Sequence, residues 1–426
     1  MEQNTSKAIN KLIIVAALGY FVDIYDLLLF GVERSASLTD IFLGKYPFVN
    51  PANAKVAFAP MLDVYGKYLL NMQMLGMVFG GIFWGILGDK KGRLSVLFGS
   101  ILTYSIANIL NGMVHDTDSY AVLRFISGFG LAGELGAGIT LVSESMSKER
   151  RGVGTMIVAT VGVFGAVVAG FMGNIISDWR TSFYIGGGMG LALLILRIGV
   201  YESGMFKTVK EEKVSRGNFL QLFTSPKRFF KYINIILVTV PVWYVMGSLI
   251  LFSPELSKLM GLMDAKGNPL ITSGNSIMYA YAGITVGDVV SGLISQKLRS
   301  RKKSLLLFLL LTVIGIVLYF TVAATSVTVF YSVVGFIGFA TGYWAVFIST
   351  ASELFGTNIR ATATTTAPNF VRGSTTVISL LTALLLTLVG NKLEATIYTG
   401  VIVLGIAFIS LYFLEETFGK ELNYVE

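Results

Sequence analysis

The sequence predicts an all-α membrane protein with twelve transmembrane helices in two six-helix bundles. Three observations predict it. The chain has 426 residues, 54% hydrophobic and only 14% charged, where a soluble domain carries about 25% charged residues. Its apolar residues gather into about twelve runs near the roughly 20 residues that a span needs. Its basic residues crowd into alternate gaps between those runs.

Taken in order, the runs place helices at 11–34, 67–88, 94–114, 119–144, 152–176, 183–203, 231–253, 273–295, 304–324, 327–351, 362–389 and 394–414. With the N-terminus inside, the inner segments hold Lys90, Lys91 and Arg93, then Lys148, Arg150 and Arg151, then the basic stretches Lys207–Lys231 and Lys297–Lys303. The outer segments hold scattered charges such as Lys45, Arg180 and Lys392. Positive charge resists translocation, so both termini are expected in the cytoplasm of a multi-pass protein of the cell (plasma or inner) membrane. The lipid bilayer is the expected surrounding.

Composition also excludes. Cysteine is absent, which removes disulfides and thiolate metal sites, and the single histidine, His115, sits in a predicted loop. No metal or cofactor is expected. The net charge of +8 reflects loop placement and does not call for nucleic acid. The first apolar run, from Leu12, is long enough to span and has no small-residue cleavage site after it, so it is read as a helix rather than a signal peptide. No nucleophile–base set occupies a polar loop, so an enzyme is not expected.

The longest polar inner segment, 204–230, divides the chain into 1–203 and 231–426. Each half begins with a span, a long outer loop (35–66 and 254–272) and a basic hairpin. The first hairpin holds Gly85, Asp89, Lys90, Gly92 and Arg93; the second runs Gly292–Arg301, with Gln296 in place of the acid and Arg299 in place of the glycine. Parallel halves of this kind suit rocking about a midplane site.

Ionisable residues inside spans are costly and by default functional. Asp23 and Asp26 in the first span are three residues apart and share a helical face. At 1.5 Å per residue they lie ~18 Å and ~22 Å from its inner end. Two carboxylates so close in low dielectric do not both ionise readily, so one is expected to hold a proton. Arg124 in the fourth span lies ~7 Å from the outer surface and Asp26 ~8 Å, which predicts an Asp26–Arg124 pair. Glu134 lies deeper in the same span. Arg372 in the eleventh span lies ~15 Å from its inner end, near the midplane; it either holds an anionic substrate or pairs with Asp288 of the eighth span. Asn369 and the aromatics Tyr25, Trp243, Tyr343 and Trp344 are further candidates for the substrate site, with packing as the plainer reading. Glycines of the fourth and fifth spans, among them Gly128, Gly130, Gly133 and Gly165, are expected to let helices pack closely.

Gly85-x-x-x-Asp89-Lys90-x-Gly92-Arg93 resembles the signature loop between the second and third helices of the major facilitator superfamily. Arg124-Phe-Ile-Ser-Gly and Gly133-Glu134 resemble the fourth helix of its sugar-porter, phosphate-symporter and metabolite:proton-symporter families. Glu144 with Glu149-Arg150-Arg151-Gly152 is similar to their next hairpin. Asp178-Trp-Arg180, Tyr201-Glu-Ser-Gly-Met-Phe206, Glu353-Leu-Phe-Gly-Thr-Asn-Ile-Arg360 and the closing Glu416-Thr-Phe-Gly-Lys-Glu-Leu422 keep the order of further family motifs. Phe21-x-Asp23-x-Tyr25-Asp26 departs by one residue from the first-helix pattern of metabolite symporters, since Val22 stands where their first acid would. The resemblance implies a proton site at Asp26, partnered by Arg124, with Asp23 and Glu134 as further coupling groups. It implies gating roles for the signature-loop residues, Glu144 and Arg151.

The expected function is proton-coupled symport of a small organic anion by alternating access, by a protein complete as a monomer whose partners are that small-molecule substrate and protons. Sugar or inorganic phosphate symport, or uncoupled facilitation, stand as alternatives.

Overall fold

The computed structural model describes residues 2–91, 93–145, 148–202, 219–356 and 359–420. Among them the one β pairing is an isolated bridge between Met263 and Pro269, and ten helices are long and apolar enough to cross a membrane. The chain is a succession of helices. They are α1 (Glu2–Lys45), α2 (Ala59–Lys91), α3 (Arg93–Asn111), α4 (Thr117–Leu131), α5 (Glu134–Ser145), α6 (Lys148–Ile175) and α7 (Trp179–Glu202). There follow α8 (Pro226–Tyr244), a short α9 (Ser253–Leu259), α10 (Ser273–Lys297), α11 (Arg301–Thr321), α12 (Val327–Ala340), α13 (Trp344–Leu354), α14 (Arg360–Val389) and α15 (Lys392–Phe413).

Their ends follow from local chemistry. Asp116, Thr272, Ser300, Ser326 and Asn391 each accept a first-turn backbone N–H, at the starts of α4, α10, α11, α12 and α15, satisfying donors that a helix leaves orphaned. Gly390, at φ 74°, closes α14.

Three features depart from the sequence expectation. First, the predicted outer loop 35–66 is mostly helix: α1 runs to Lys45 and α2 begins at Ala59. Polar residues do not stop a helix beyond the bilayer, and Phe42 holds the extension by edge-on contacts with Phe58 and Tyr65 at 5.6 and 5.4 Å. Second, the fourth and tenth spans are each broken near their middle, between α4 and α5 and between α12 and α13. Side chains from other helices satisfy the freed backbone groups there, as a break at membrane depth requires. Trp84 Nε1 donates to the Phe129 carbonyl (2.7 Å) and Asn369 Nδ2 to that of Ala132 (2.9 Å). Third, α8 continues into a π turn, Val245–Ile250, just after Pro241.

One contact pattern occurs twice. A methyl added to Gly76 or Gly80 of α2 would overlap the carbonyl oxygen of Phe125 or Phe129, and one added to Gly128 of α4 would overlap that of Gln73. Gly283 and Gly287 of α10 meet the Gly335 and Phe339 carbonyls in the same way, and Gly338 of α12 meets that of Ala280. Both pairs therefore approach backbone to backbone through a Gly-x-x-x-Gly stripe. The second basic hairpin adds a further echo. Arg299 adopts a left-handed φ of 48° at the position aligned with Gly92, a geometry natural to glycine and strained for arginine. Gly92 itself lies outside the described residues.

Residues before 204 touch residues after 230 at both ends of the molecule. At the signature-hairpin end, Gly85 rests on Thr365 and Thr366, Gly81 on Asn369, and Gly136 on Thr365. At the opposite end, Arg34 pairs with Glu255 (2.7 Å) and donates to the Leu251 carbonyl (3.2 Å). Asp63 pairs there with Lys392 (2.9 Å), and Asn174 Nδ2 donates to Asn275 (2.7 Å).

Candidate functional site

Helix α1 carries Asp23 and Asp26 into the centre of the molecule, where neither is exposed. Asp23 looks across the seam at Arg372 of α14. The closest approach, Nη2 to Oδ2, is 4.0 Å, within ion-pair range and beyond a hydrogen bond. Among the described residues neither Asp23 oxygen finds a hydrogen-bond partner. The Arg372 guanidinium also stands 5.7 Å from the centre of the Trp344 ring and makes a long, 3.5 Å contact with Asn369 Oδ1. Beside this pair is a cavity of about 30 Å³, measured by where the centres of water-sized molecules fit. Its walls include Tyr20, Ile24, Trp243, Tyr281, Trp344 and Arg372. Such a space admits on the order of two waters.

The expected Asp26–Arg124 bond is not made. Asp26 lies against Gly186 of α7, where any side chain would overlap its Oδ1. Arg124 instead lays its guanidinium over Phe30, 4.8 Å from the ring centre, with Phe183 at 5.8 Å. Its three nitrogens have no hydrogen-bond partner among the described residues. Phe30 is one helical turn beyond Asp26 on α1, so it covers the face that Arg124 approaches. Equal depth brought the two charges to one level without turning them toward each other.

Glu134 is engaged elsewhere. Arg197 of α7 clasps both its oxygens, Nη1 to Oε2 at 3.1 Å and Nη2 to Oε1. Gly19 leaves the room, since a methyl there would overlap Arg197 Nη2 and Glu134 Oε1. The alternative pairing of Arg372 with Asp288 is also corrected. Asp288 Oδ1 accepts from the Ala345 N–H (3.1 Å). A carboxylate from α10 thus caps the start of α13, where the helix dipole favours negative charge. This geometry gives Asp288 a structural task, and it is not among the residues that line the cavity.

Trp243, Trp344 and Arg372 line the cavity. Tyr343 does not; its hydroxyl donates to the Val238 carbonyl (3.2 Å). Asn369 ties α14 to the break after α4. Tyr25 is fully buried, its hydroxyl without a partner among the described residues, and stands outside the cavity wall. In the signature hairpin Gly85 is buried and Lys90 exposed. The side chains of Asp89, Arg93, Glu144 and Arg151 lie outside the described residues, as does Gly92.

The sequence reading missed Tyr20, Tyr281 and Arg197. Tyr20 had a signal, being three residues before Asp23 on the same helical face. The Asp23–Arg372 pair had one too, since the depths of ~18 Å and ~15 Å from the inner side nearly agree. Among the described residues no group of three or more acids and histidines is arranged to hold a metal ion.

A sequence model of the Major Facilitator Superfamily matches residues 63–373. The chain belongs to that superfamily. It is a multi-pass membrane transporter, and its relatives are transporters rather than enzymes. It is 28% identical to the "Putative metabolite transport protein" of Haemophilus influenzae, over 83% of each chain. It is 24% identical to the "Putative niacin/nicotinamide transporter NiaP" of Bacillus subtilis, over 72% of this chain and 75% of that one. Among solved structures it resembles the proton:xylose symporter XylE bound to 6-bromo-6-deoxy-D-glucose, with a TM-score of 0.70 and 98% of both chains covered. At 14% identity that likeness concerns the fold.

Proposed function

We propose that this protein is a proton-coupled symporter of a small organic anion, working by alternating access. The carrying observation is the Asp23–Arg372 pair: an acid of one half and a base of the other, both buried, 4.0 Å apart without a hydrogen bond between them, beside a cavity that Arg372 lines. Such a pair can exchange its internal anion for a substrate anion while the freed acid takes a proton. Asp26, buried beside Asp23, is the second coupling group, and Arg124 sets its field from the same half. Counting α3 and α7 with the ten long apolar helices gives twelve spans. The halves are 1–203 and 231–426, joined by 204–230, with both termini cytoplasmic in the cell membrane and the monomer as the working unit. The metabolite and niacin/nicotinamide names of the relatives support a small metabolite, and the fold shared with a proton symporter supports coupling.

The test is proton movement in liposomes loaded with a pH-sensitive dye. Addition of organic anions, sugars or phosphate, one at a time, is expected to acidify the interior with an organic anion. Asp23→Asn and Asp26→Asn are each expected to abolish that signal. Labelled anion entering wild-type liposomes without acidification would make the protein a facilitator.

A further inference from the structure

We propose that the substrate of this cavity is a small aromatic monocarboxylate, its carboxylate taken by Arg372 in place of Asp23 and its ring held among Tyr20, Tyr281 and Trp344. The proposal rests on the transport reading above and names the substrate class of that site.

Charge sets the first limit. Arg372 is the one cation among the lining residues. Of the other buried arginines near the centre, Arg197 is bound to Glu134 and Arg124 lies over Phe30. A monoanion replaces Asp23 one for one, while an obligate dianion such as phthalate would carry a second charge into low dielectric without a partner. Hydrogen-bonding capacity sets the second limit. Ile24, Val163, Val242 and Ile284 make up much of the wall. The Thr341 hydroxyl is spent on the Ile337 and Gly338 carbonyls at 3.0 Å. The remaining polar atoms are the hydroxyls of Tyr20 and Tyr281, the indole N–H groups of Trp243 and Trp344 and the Arg372 guanidinium. They are fewer than a sugar ring needs on all its edges, and each hydroxyl left over costs about 1–3 kcal/mol. Shape sets the third. Four aromatic residues surround the cation, and flat rings prefer stacked or edge-on aromatic neighbours over aliphatic ones.

Asp23 is suited to being displaced, because no hydrogen bond to either oxygen is broken when Arg372 turns to a substrate. Its electrostatic surroundings are Arg372 from α14, Glu134 from α5, Tyr104 from α3, and Tyr20 and Asp26 of its own helix. With Arg372 engaged, acids dominate that set, and a proton taken up by Asp23 keeps the site neutral.

The experiment is binding to the purified full-length protein, read by quenching of tryptophan fluorescence, since Trp243 and Trp344 line the cavity. The probes are benzoate, its neutral analogue benzamide, the non-aromatic cyclohexanecarboxylate and the dianion phthalate. Benzoate is expected to bind roughly three- to tenfold tighter than cyclohexanecarboxylate, and benzamide and phthalate at least about tenfold weaker than benzoate. Arg372→Lys should weaken benzoate about tenfold or more, because an ammonium loses the two-pronged grip. Trp344→Leu should bring benzoate and cyclohexanecarboxylate level. Equal binding of those two probes by the wild-type protein overturns the aromatic assignment, and preference for benzamide or phthalate overturns the monoanion assignment. The liposome assay separates the two readings. Benzoate that binds as expected but carries in no protons overturns coupling and leaves the substrate class standing. Proton entry with a different anion, and no benzoate binding, overturns the class and leaves symport standing.

Discussion

Substituting Met for Arg197 strands Glu134, which is 1% exposed, in a pocket that Gly19 shapes around the pair. At the 3.1 Å separation of Nη1 and Oε2, the attraction in an effective dielectric near 20 is about 5 kcal/mol. Removing one partner of a buried pair costs about 3–5 kcal/mol, whereas removing both is often neutral. Arg197→Met should therefore lose about 3–5 kcal/mol in denaturant unfolding of the detergent-purified protein. Glu134→Leu combined with Arg197→Met should return to within about 1 kcal/mol of wild type. The double variant should also keep substrate-driven proton uptake in liposomes, because the pair is architecture. A loss below about 1 kcal/mol for Arg197→Met refutes the energetic argument. A stable double variant that moves substrate without protons refutes the structural reading and returns Glu134 to the coupling groups.

Four further outcomes are expected. Gly80→Ala and Gly287→Ala each force a methyl against a backbone carbonyl and should each destabilise by about 1–3 kcal/mol, read by the same unfolding titration. Glu255→Gln weakens the Arg34 latch by about 1 kcal/mol; labelling of a cysteine introduced at Val242 by a membrane-impermeant maleimide should then rise about fivefold, and no change would mean that the latch does not hold the gate. Asp288→Ala removes the cap on α13 and should cost about 1–2 kcal/mol while leaving the substrate dissociation constant unchanged; a weakened constant would return Asp288 to the substrate site. Glu416 is the pH probe. Burial opposes its charge, but the Ser300 hydroxyl and the Phe418, Arg301 and Lys302 N–H groups outweigh it and hold its carboxyl below the ordinary glutamate value of 4.5. Because the folded value lies below the unfolded one, its contribution is present above about pH 4.5 and lost as pH falls further. A spin label on a cysteine at Lys420 should gain mobility in that acid range and not between pH 5 and 8.

Periodicity and charge placement made the helices legible. The predicted runs 273–295 and 394–414, for instance, appear as Ser273–Lys297 and Lys392–Phe413. The breaks in the fourth and tenth spans were not legible. Ala132-Gly133 and Thr341-Gly342-Tyr343 contain no proline, and the side chains that satisfy the broken turns come from distant stretches, Trp84, Asn369 and Asp288. The same holds at the site. Counting residues along an axis gave the depth of each charge, and the depths of Asp23 and Arg372 nearly agree, yet that agreement was not used and Arg372 was set against a substrate anion or Asp288 instead. Direction around the axis is fixed by neighbours such as Phe30 and Gly186, so Arg124 turned to a ring and Arg197 reached Glu134 without any sign in the local sequence.

The doubled glycine stripe also has a mechanical consequence. Where Gly76 and Gly80 seat α2 on the carbonyls of α4, and Gly283 and Gly287 seat α10 on those of α12, no side chain stands between the helices to change rotamer and absorb a displacement. These junctions behave as welds. Between residues before 204 and those after 230, hydroxyls, amides and a few ion pairs lie beside closer packing, such as Gly170 against the Gly274 carbonyl and Gly31 against Leu251 and Ile277. A displacement of one helix in either glycine-seated pair is therefore passed to its partner almost undiminished.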